Sequence, residues 1–326
     1  MNARIVSTGA YLPKKILTNF DLEKMVDTSD EWITQRTGIK IRHIAEEGES
    51  TSDLAYKAAL DALKGSDLSP SDIDLIVLAT VTPDQPLPAT ALFVQEKLGA
   101  YNAFGFDINA ACSGFMYALS IANAYIKSGM VKNALVIGAE ILSRIVDWTD
   151  RTTCVLFGDG AACVLLQATE EEDRGVISLV LHSDGRYTDL MRAPAPGSIR
   201  PCSKEVIENR DIFIKMKGNE TFKMAVRNIA SVSKEALDLV DMDFSDVDLM
   251  VSHQANKRII ESVAKRAGID EDRVIVTIDK HANTSAASIP LALDWAYKSG
   301  RIKDGDVILL NSFGASLTWA AGVVRW

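Results

Sequence analysis

The chain is poor in the residues that build metal centres and disulfide frameworks. Its 326 residues hold four histidines and four cysteines, and Cys112, Cys154, Cys163 and Cys202 are scattered with no CxxC pair. That spacing suits neither a zinc site nor a disulfide scaffold, and it points to a reduced, cytoplasmic protein without a metal or other cofactor. Positive charge is also scarce: 35 Lys and Arg stand against 44 Asp and Glu, a net charge of −9. Such a balance argues against nucleic-acid binding, so any anionic partner must be met by a local basic patch. No apolar run approaches the roughly 18 residues of a membrane span. The stretch from Met1 to Pro13 enters an apolar strand pattern at once, without the basic flank and apolar run of a secretion signal.

What the chain does have is alternation and repetition. Short apolar runs (Leu75–Thr80, Ala134–Gly138, Leu249–Ser252, Val274–Ile278, Val307–Leu310) alternate with helix-like stretches, the pattern of buried strands in an α/β protein. Ser71-Asp-Ile-Asp-Leu-Ile-Val77 returns as Ser245-Asp-Val-Asp-Leu-Met-Val251, 174 positions on. Tyr125-Ile-Lys-Ser-Gly129 returns as Ala296-Tyr-Lys-Ser-Gly300, 171 positions on. The chain therefore reads as a duplication, residues 1–172 and 173–326, joined near the charged stretch Glu170–Gly175.

The offset has a chemical consequence. Position 112 shifted by 171 is 283, so Cys112 and Asn283 occupy equivalent places, each after a predicted strand and before a predicted helix. His253 follows the repeated strand Leu249–Ser252. Equivalent positions of two packed halves can converge near a pseudo-two-fold axis. Cys112 lies among small residues in Asn109-Ala-Ala-Cys-Ser-Gly114 at a helix N-terminus, where the dipole favours a thiolate. A pKa lowered by about two units there corresponds to roughly 2.7 kcal/mol. Each residue also has a plainer reading: a buried structural cysteine, a satisfied core histidine, an N-cap asparagine. Together they suggest more. An amide accepts no proton but donates hydrogen bonds, so His and Asn aimed at one carbonyl form an oxyanion hole. Such a hole suits an enolate better than hydrolysis.

The same residues carry a family resemblance. Asp27-Thr-Ser-Asp-Glu-Trp-Ile33, Arg36-Thr-Gly-Ile39, Asn109–Gly114, Phe157-Gly-Asp-Gly-Ala161, His253-Gln-Ala-Asn256, His281–Ser288 and Phe313-Gly with Thr318-Trp319 resemble β-ketoacyl-[acyl-carrier-protein] synthase III, nearly end to end. The resemblance implies a thiolase-like α/β fold, two duplicated halves in five αβαβα layers, assembled as a homodimer. It implies acyl transfer from acyl-CoA to Cys112, then decarboxylative condensation with malonyl-acyl carrier protein at His253 and Asn283. The backbone N–H groups of Cys112 and Ala315 would form a second oxyanion hole. Trp32 and Arg151 would sandwich the CoA adenine, with Thr28 and Arg36 on its phosphates or ribose. Gly218, Phe222 and Asn256 would line the pantetheine tunnel. Lys223, Gln254, Lys257 and Arg258 would dock the acidic carrier protein, although most such charges are simply solvated.

Leu87 would close the acyl pocket of the neighbouring subunit, where some relatives carry Phe. Two departures stand out: Ala282 replaces the usual Gly before Asn283, and the loop after Phe313 reads Gly314-Ala315-Ser316. A synthase III-like enzyme of secondary metabolism, with another acceptor, is the alternative. A degradative thiolase fits poorly, because no cysteine lies beyond Cys202.

Overall fold

The repeated sequence segments become repeated structural joints. In the computed structural model, which describes residues 1–315 and 317–326, Asp74 and Asp248 do the same job. Each accepts from the first residue of the following central strand, Asn133 N–H at 2.9 Å and Val307 N–H at 2.8 Å. The glycines of the two Lys-Ser-Gly segments, Gly129 and Gly300, both turn with positive φ, 74° and 71°. That conformation is nearly free for glycine and strained for other residues.

The first half consists of β1 (Asn2–Tyr11), α1 (Asp30–Thr37), α2 (Thr51–Lys64), β2 (Leu75–Ala79), α3 (Thr90–Leu98), β3 (Phe104–Ile108), α4 (Gly114–Lys127), β4 (Asn133–Glu140) and β5 (Gly160–Thr169). The second half has β6 (Gly175–Ser183), α5 (Gly218–Asp238), β7 (Leu249–Ser252), α6 (Lys257–Ala267), α7 (Ser288–Lys298), β8 (Val307–Gly314) and β9 (Thr318–Arg325). The first sheet runs β1-β5-β4-β2-β3 and the second β6-β9-β8-β7. In both, the first three strands in this order pair antiparallel (β1-β5-β4, β6-β9-β8) and the next pair (β4-β2, β8-β7) is parallel. The four strands of the second sheet repeat the order and sense of the first four strands of the first sheet.

The second-half counterpart of β3 is only a bridge between Met250 and Val274. The sequence reading of a strand over Val274–Ile278 is corrected here. The backbone of that stretch is diverted to a side chain: Gln254 donates to Ile275 O at 3.2 Å and accepts from Thr277 N–H at 2.8 Å.

Burial explains the layering. Helices α4 and α7 lie between the two sheets, in one core with residues such as Val77, Val136, Val251 and Leu310. Facing apolar neighbours on more than one side, α4 buries Phe115, Met116, Ala118, Leu119, Ala122 and Ile126. Helices α2 and α3 cover the outer face of the first sheet, and α5 and α6 that of the second. On α6 only Ile260, Val263 and Ala264 are buried, a single stripe at helical spacing, and the rest faces outward. The result is an αβαβα stack. Among the described residues no helix is long and apolar enough to cross a membrane.

Candidate active site

Two backbone elbows meet between the sheets. In the first half the chain leaves β3, bends at Ala111 (φ +47°) and places Cys112 in a single tight turn ahead of α4. In the second half it bends at Ala282 (φ +56°), passes Asn283, bends again at Ser285 (φ +50°) and enters α7 through a like turn. Ala111 and Ala282 are 171 positions apart, so the strained joint itself is duplicated. The elbows touch: a Cβ on Gly114 would lie 3.4 Å from the Ala286 Cβ. Gly138 of β4 admits the second elbow, because a Cβ there would lie 2.3 Å from Ala286 O. Both halves thus present small residues where they press together.

Cys112 is buried. Burial pushes its thiol up to about 11, and the nearby Glu140 carboxylate adds to the rise. The neighbouring Ser285 hydroxyl and the N–H groups of Ala315 and of Cys112 itself act the other way. The lowered thiol pKa expected from the helix N-terminus is therefore corrected: desolvation outweighs the stabilising donors. Gly314 sits directly over this spot, and a Cβ on it would come within 2.9 Å of the N atoms of Cys112 and Ser113.

His253 and Asn283 are each fixed by one edge. The Nδ1 atom of His253 lies 2.5 Å from the Ser288 hydroxyl, whose oxygen also accepts from Gln254 N–H at 3.3 Å. From this pattern we assign the Ser288 hydrogen to Nδ1 and the imidazole hydrogen to Nε2. Burial pushes the His253 imidazole down to about 3, so the ring is neutral. The Asn283 Oδ1 atom accepts from Ser285 N–H at 2.9 Å, which leaves its amide N–H groups to point elsewhere. Its backbone is pinned to the first half by Leu156 O and Gly158 N–H, both at 3.0 Å. His281 faces away, buried near His43, and burial lowers it to about 4.

Basic and aromatic side chains gather where α6 packs against α1 and α5. Arg151 lies 5.0 Å and Arg36 6.0 Å from the Trp32 ring centroid, and Arg258 lies 5.7 Å from that of Phe222. The Thr28 hydroxyl beside Trp32 is buried without a partner. Lys223, Lys257 and Arg258 are exposed on this face, as is Gly218 at the start of α5. Lys257 pairs with Glu261 at 3.4 Å.

Several expectations change. Arg151 rests against Trp32, whereas an aromatic ring between them would need roughly 7 Å, two ordinary contacts. No slot is open between Trp32 and Arg151 where the resemblance implies adenine, and Arg151 donates to Asp27 O at 2.7 Å. Gln254 is buried, with its amide spent on Ser252 O, Ile275 O and Thr277 N–H, so it cannot meet a carrier protein. Asn256 caps α6 through Arg258 N–H and donates to Arg36 O at 3.0 Å, so both ends of its amide are engaged. Leu87 is 83% exposed on a loop that leaves the end of β2, and it is not brought to Cys112 within the chain. Ser316 lies outside the described residues. Sequence reasoning gave no site role to Glu140, Ser285 or Ser288. The one signal for Glu140 was a charged residue closing an otherwise apolar strand.

Comparison with known proteins agrees with this architecture. Profiles described as 3-oxoacyl-[acyl-carrier-protein] synthase III and its C-terminal part match residues 106–185 and 237–326. The chain is 53% identical to a β-ketoacyl-[acyl-carrier-protein] synthase III of Rhodospirillum centenum, over 99% of this chain and 98% of that one. It superposes on the crystal structure of the Aquifex aeolicus 3-oxoacyl-[acyl-carrier-protein] synthase III with a TM-score of 0.93, 48% identity and 99% and 100% coverage. It is also similar to the priming β-ketosynthase of the R1128 polyketide pathway (TM-score 0.92, 32% identity, 99% and 96% coverage). The chain belongs to the 3-oxoacyl-[acyl-carrier-protein] synthase III family.

Proposed function

We propose that this protein carries out the initiating condensation of fatty-acid synthesis, joining an acyl-CoA primer to malonyl-acyl carrier protein. Residues 1–172 supply the nucleophile and 173–326 its partners. The Cys112 sulfur attacks the acyl-CoA thioester, and the oxyanion takes hydrogen bonds from Cys112 N–H and Ala315 N–H. CoA departs through the mouth formed by Trp32, Arg36, Arg151, Phe222 and Asn256, past Thr28 and Gly218. Malonyl-acyl carrier protein then docks on Lys223, Lys257 and Arg258. His253 Nε2–H and an Asn283 amide N–H hold the malonyl thioester oxygen while carbon dioxide leaves. The resulting enolate attacks the acyl-Cys112 thioester and releases 3-oxoacyl-acyl carrier protein. Decarboxylation supplies the carbanion, so the reaction needs no metal or other cofactor.

The observation that carries this reading is the pairing of an imidazole and an amide, each with its acceptor edge already engaged, by Ser288 and by Ser285 respectively. Both are left to donate, which suits enolate stabilisation and not proton abstraction. In a homodimer, Leu87 would reach the partner's acyl pocket, and Leu in place of Phe leaves room for primers longer than acetyl. Mass spectrometry after exposure to acetyl-, isobutyryl- and octanoyl-CoA tests the nucleophile and the primer together. An acyl adduct on the wild type that is lost in Cys112→Ser is expected. No adduct with any primer would remove the catalytic reading, and strict preference for acetyl would remove the role given to Leu87. Similarity to a polyketide priming synthase supports a second reading, a priming step in secondary metabolism; turnover with malonyl-acyl carrier protein separates the two.

A further inference from the structure

Asn283 is held by a segment that is itself held from behind. On one edge of residues 155–159, Leu156 O accepts from Asn283 N–H and Gly158 N–H donates to Asn283 O. Phe157 and Asn283 form a parallel bridge there. On the other edge runs the short strand Ile41–Ile44. Asp159 N–H donates to His43 O at 2.8 Å, and Ala45 N–H donates to Asp159 Oδ2 at 2.7 Å. Arg42 completes this edge with its side chain, Nη2 donating to Val155 O at 2.6 Å. Its stem passes Gly158, where a Cβ would lie 3.4 Å from the Arg42 Cβ.

Arg42 is fully buried, and burial pushes its guanidinium down to about 10, so it stays charged near neutral pH. The charge is met through an amide. Nη1 donates to Asn19 Oδ1 at 2.6 Å, and the Asn19 amide nitrogen donates to Asp30 Oδ1 and to Ile39 O, both at 2.8 Å. Asp30 opens α1, the helix of Trp32 and Arg36. The Arg42 Nε is buried without a partner. A buried charge so placed is a poor stabiliser, and an apolar side chain of like volume would fill the space without the desolvation cost. What the apolar side chain lacks is the fork, which holds two acceptors on separate segments in fixed geometry.

We propose that Arg42 is a positioning residue for Asn283: its fork ties residues 155–158 to the Asn19–Asp30 anchor at α1, and so holds the elbow that aims the Asn283 amide at the malonyl thioester oxygen. The inference rests on the role proposed above for Asn283. A misplacement of about 1 Å at a reacting centre can cost roughly a hundredfold in rate. Arg42 acts only through the segment it holds, so its effect should exist only while the Asn283 amide is there to be aimed.

The test is a double-mutant cycle read by carbon dioxide release from malonyl-acyl carrier protein. Arg42→Met should slow release by about tenfold to a hundredfold. Asn283→Ala should slow it by roughly 10²–10³. The two together should be slower than Asn283→Ala alone by less than about threefold, because residues acting as a unit do not add. Losses that multiply, with Asn283→Ala itself impaired, would overturn this inference alone; Asn283→Ala releasing carbon dioxide at the wild-type rate would overturn the role of Asn283 and this inference with it. Alkylation of Cys112 by iodoacetamide, in a Cys202→Ser background because Cys202 is exposed, should change by less than about threefold in Arg42→Met. A fall in alkylation equal to that in decarboxylation would mean a general loosening of the fold and would also overturn it. Should Arg42→Met not fold, Arg42→Lys decides. It keeps the charge and most of the stem but offers one nitrogen in place of the fork, so release should fall by about tenfold and the loss should again vanish beside Asn283→Ala. Wild-type release in Arg42→Lys would show that the charge suffices and refute the role given to the fork.

Discussion

Gly314→Ala is the sharpest test of the Cys112 environment, because one methyl lands on the proposed oxyanion hole. The new Cβ would lie 2.9 Å from the N atoms of Cys112 and Ser113 and 2.7 Å from Thr318 Oγ1. The two nitrogens are backbone atoms at an elbow already bent at Ala111, so they have little room to give. An oxyanion bound by Cys112 N–H needs its oxygen about 2.7–3.1 Å from that nitrogen, the distance the methyl would take up. Losing one such donor costs roughly 10²–10³ in rate, or about 2.7–4 kcal/mol. Overpacking should lower stability by a further 1–3 kcal/mol or so. The assay is the rate of acyl-Cys112 formation, compared with the rate of alkylation of the same thiol. Alkylation develops no oxyanion. Acylation should therefore fall by about two orders of magnitude or more while alkylation changes by less than about threefold. Two results would refute the reasoning. A folded variant that acylates at the wild-type rate leaves no hole beneath Gly314, and an equal fall in both rates means the sulfur itself has been displaced.

Three further outcomes follow from the geometry. Arg258→Glu, on the exposed face beside Phe222, should weaken use of malonyl-acyl carrier protein severalfold and spare acylation by acyl-CoA; equal loss in both half-reactions counts against docking there. Ala282→Gly should stabilise the fold, because Ala282 has φ +56° and ψ −162°, a region open almost only to glycine. Relief of about 1–3 kcal/mol of strain, less the flexibility glycine adds to the unfolded chain, leaves a gain of about 1 kcal/mol in urea unfolding. A loss of stability would show that Ala282 is at ease. Acid should also weaken the fold below pH 6.5, since His253 and His281 are held neutral, at about 3 and about 4, and must stay uncharged where the unfolded chain takes up protons. Each contributes stability that is present above 6.5 and lost as pH falls, at about 1.4 kcal/mol per unit. Glu140, raised from 4.5 to about 7, acts with the opposite sign, so the net loss from pH 6.5 to about 5 is about 2 kcal/mol. Constant stability over that range would contradict the burial of the two imidazoles.

The duplication was legible because its marks are local. A strand buried on both faces leaves an apolar run, and a turn that needs an aspartate or a left-handed glycine leaves that residue in place. Asp74 and Asp248, and Gly129 and Gly300, kept these marks in both halves. The counterpart of β3 was misread for a related reason. Val274–Ile278 has the apolar composition of a strand, but its pairing is taken by Gln254, whose orientation depends on the packing of β7 and no local signal reports it. The same blindness placed Gln254 on the surface. A glutamine next to a histidine at a strand end looks polar and solvated until its amide is found bridging two segments.

The electrostatics at Cys112 were hidden most deeply, because they are set by the other half of the chain and by distant strands. The helix N-terminus beside Cys112 is visible in the sequence, so a lowered pKa was the natural reading. The opposing influences come from Glu140, 28 positions away, and from burial under α7 and β8, which the sequence separates by more than 170 residues. The duplication explains why these parts converge. Both halves make the same strained elbow, Ala111 before Cys112 and Ala282 before Asn283. One elbow carries a nucleophile, and the other carries an amide with a serine two residues on. Through its N–H, Ser285 fixes the Asn283 oxygen and leaves the amide N–H groups free to donate. The second elbow therefore orients the donor proposed for decarboxylation, while the first carries the nucleophile.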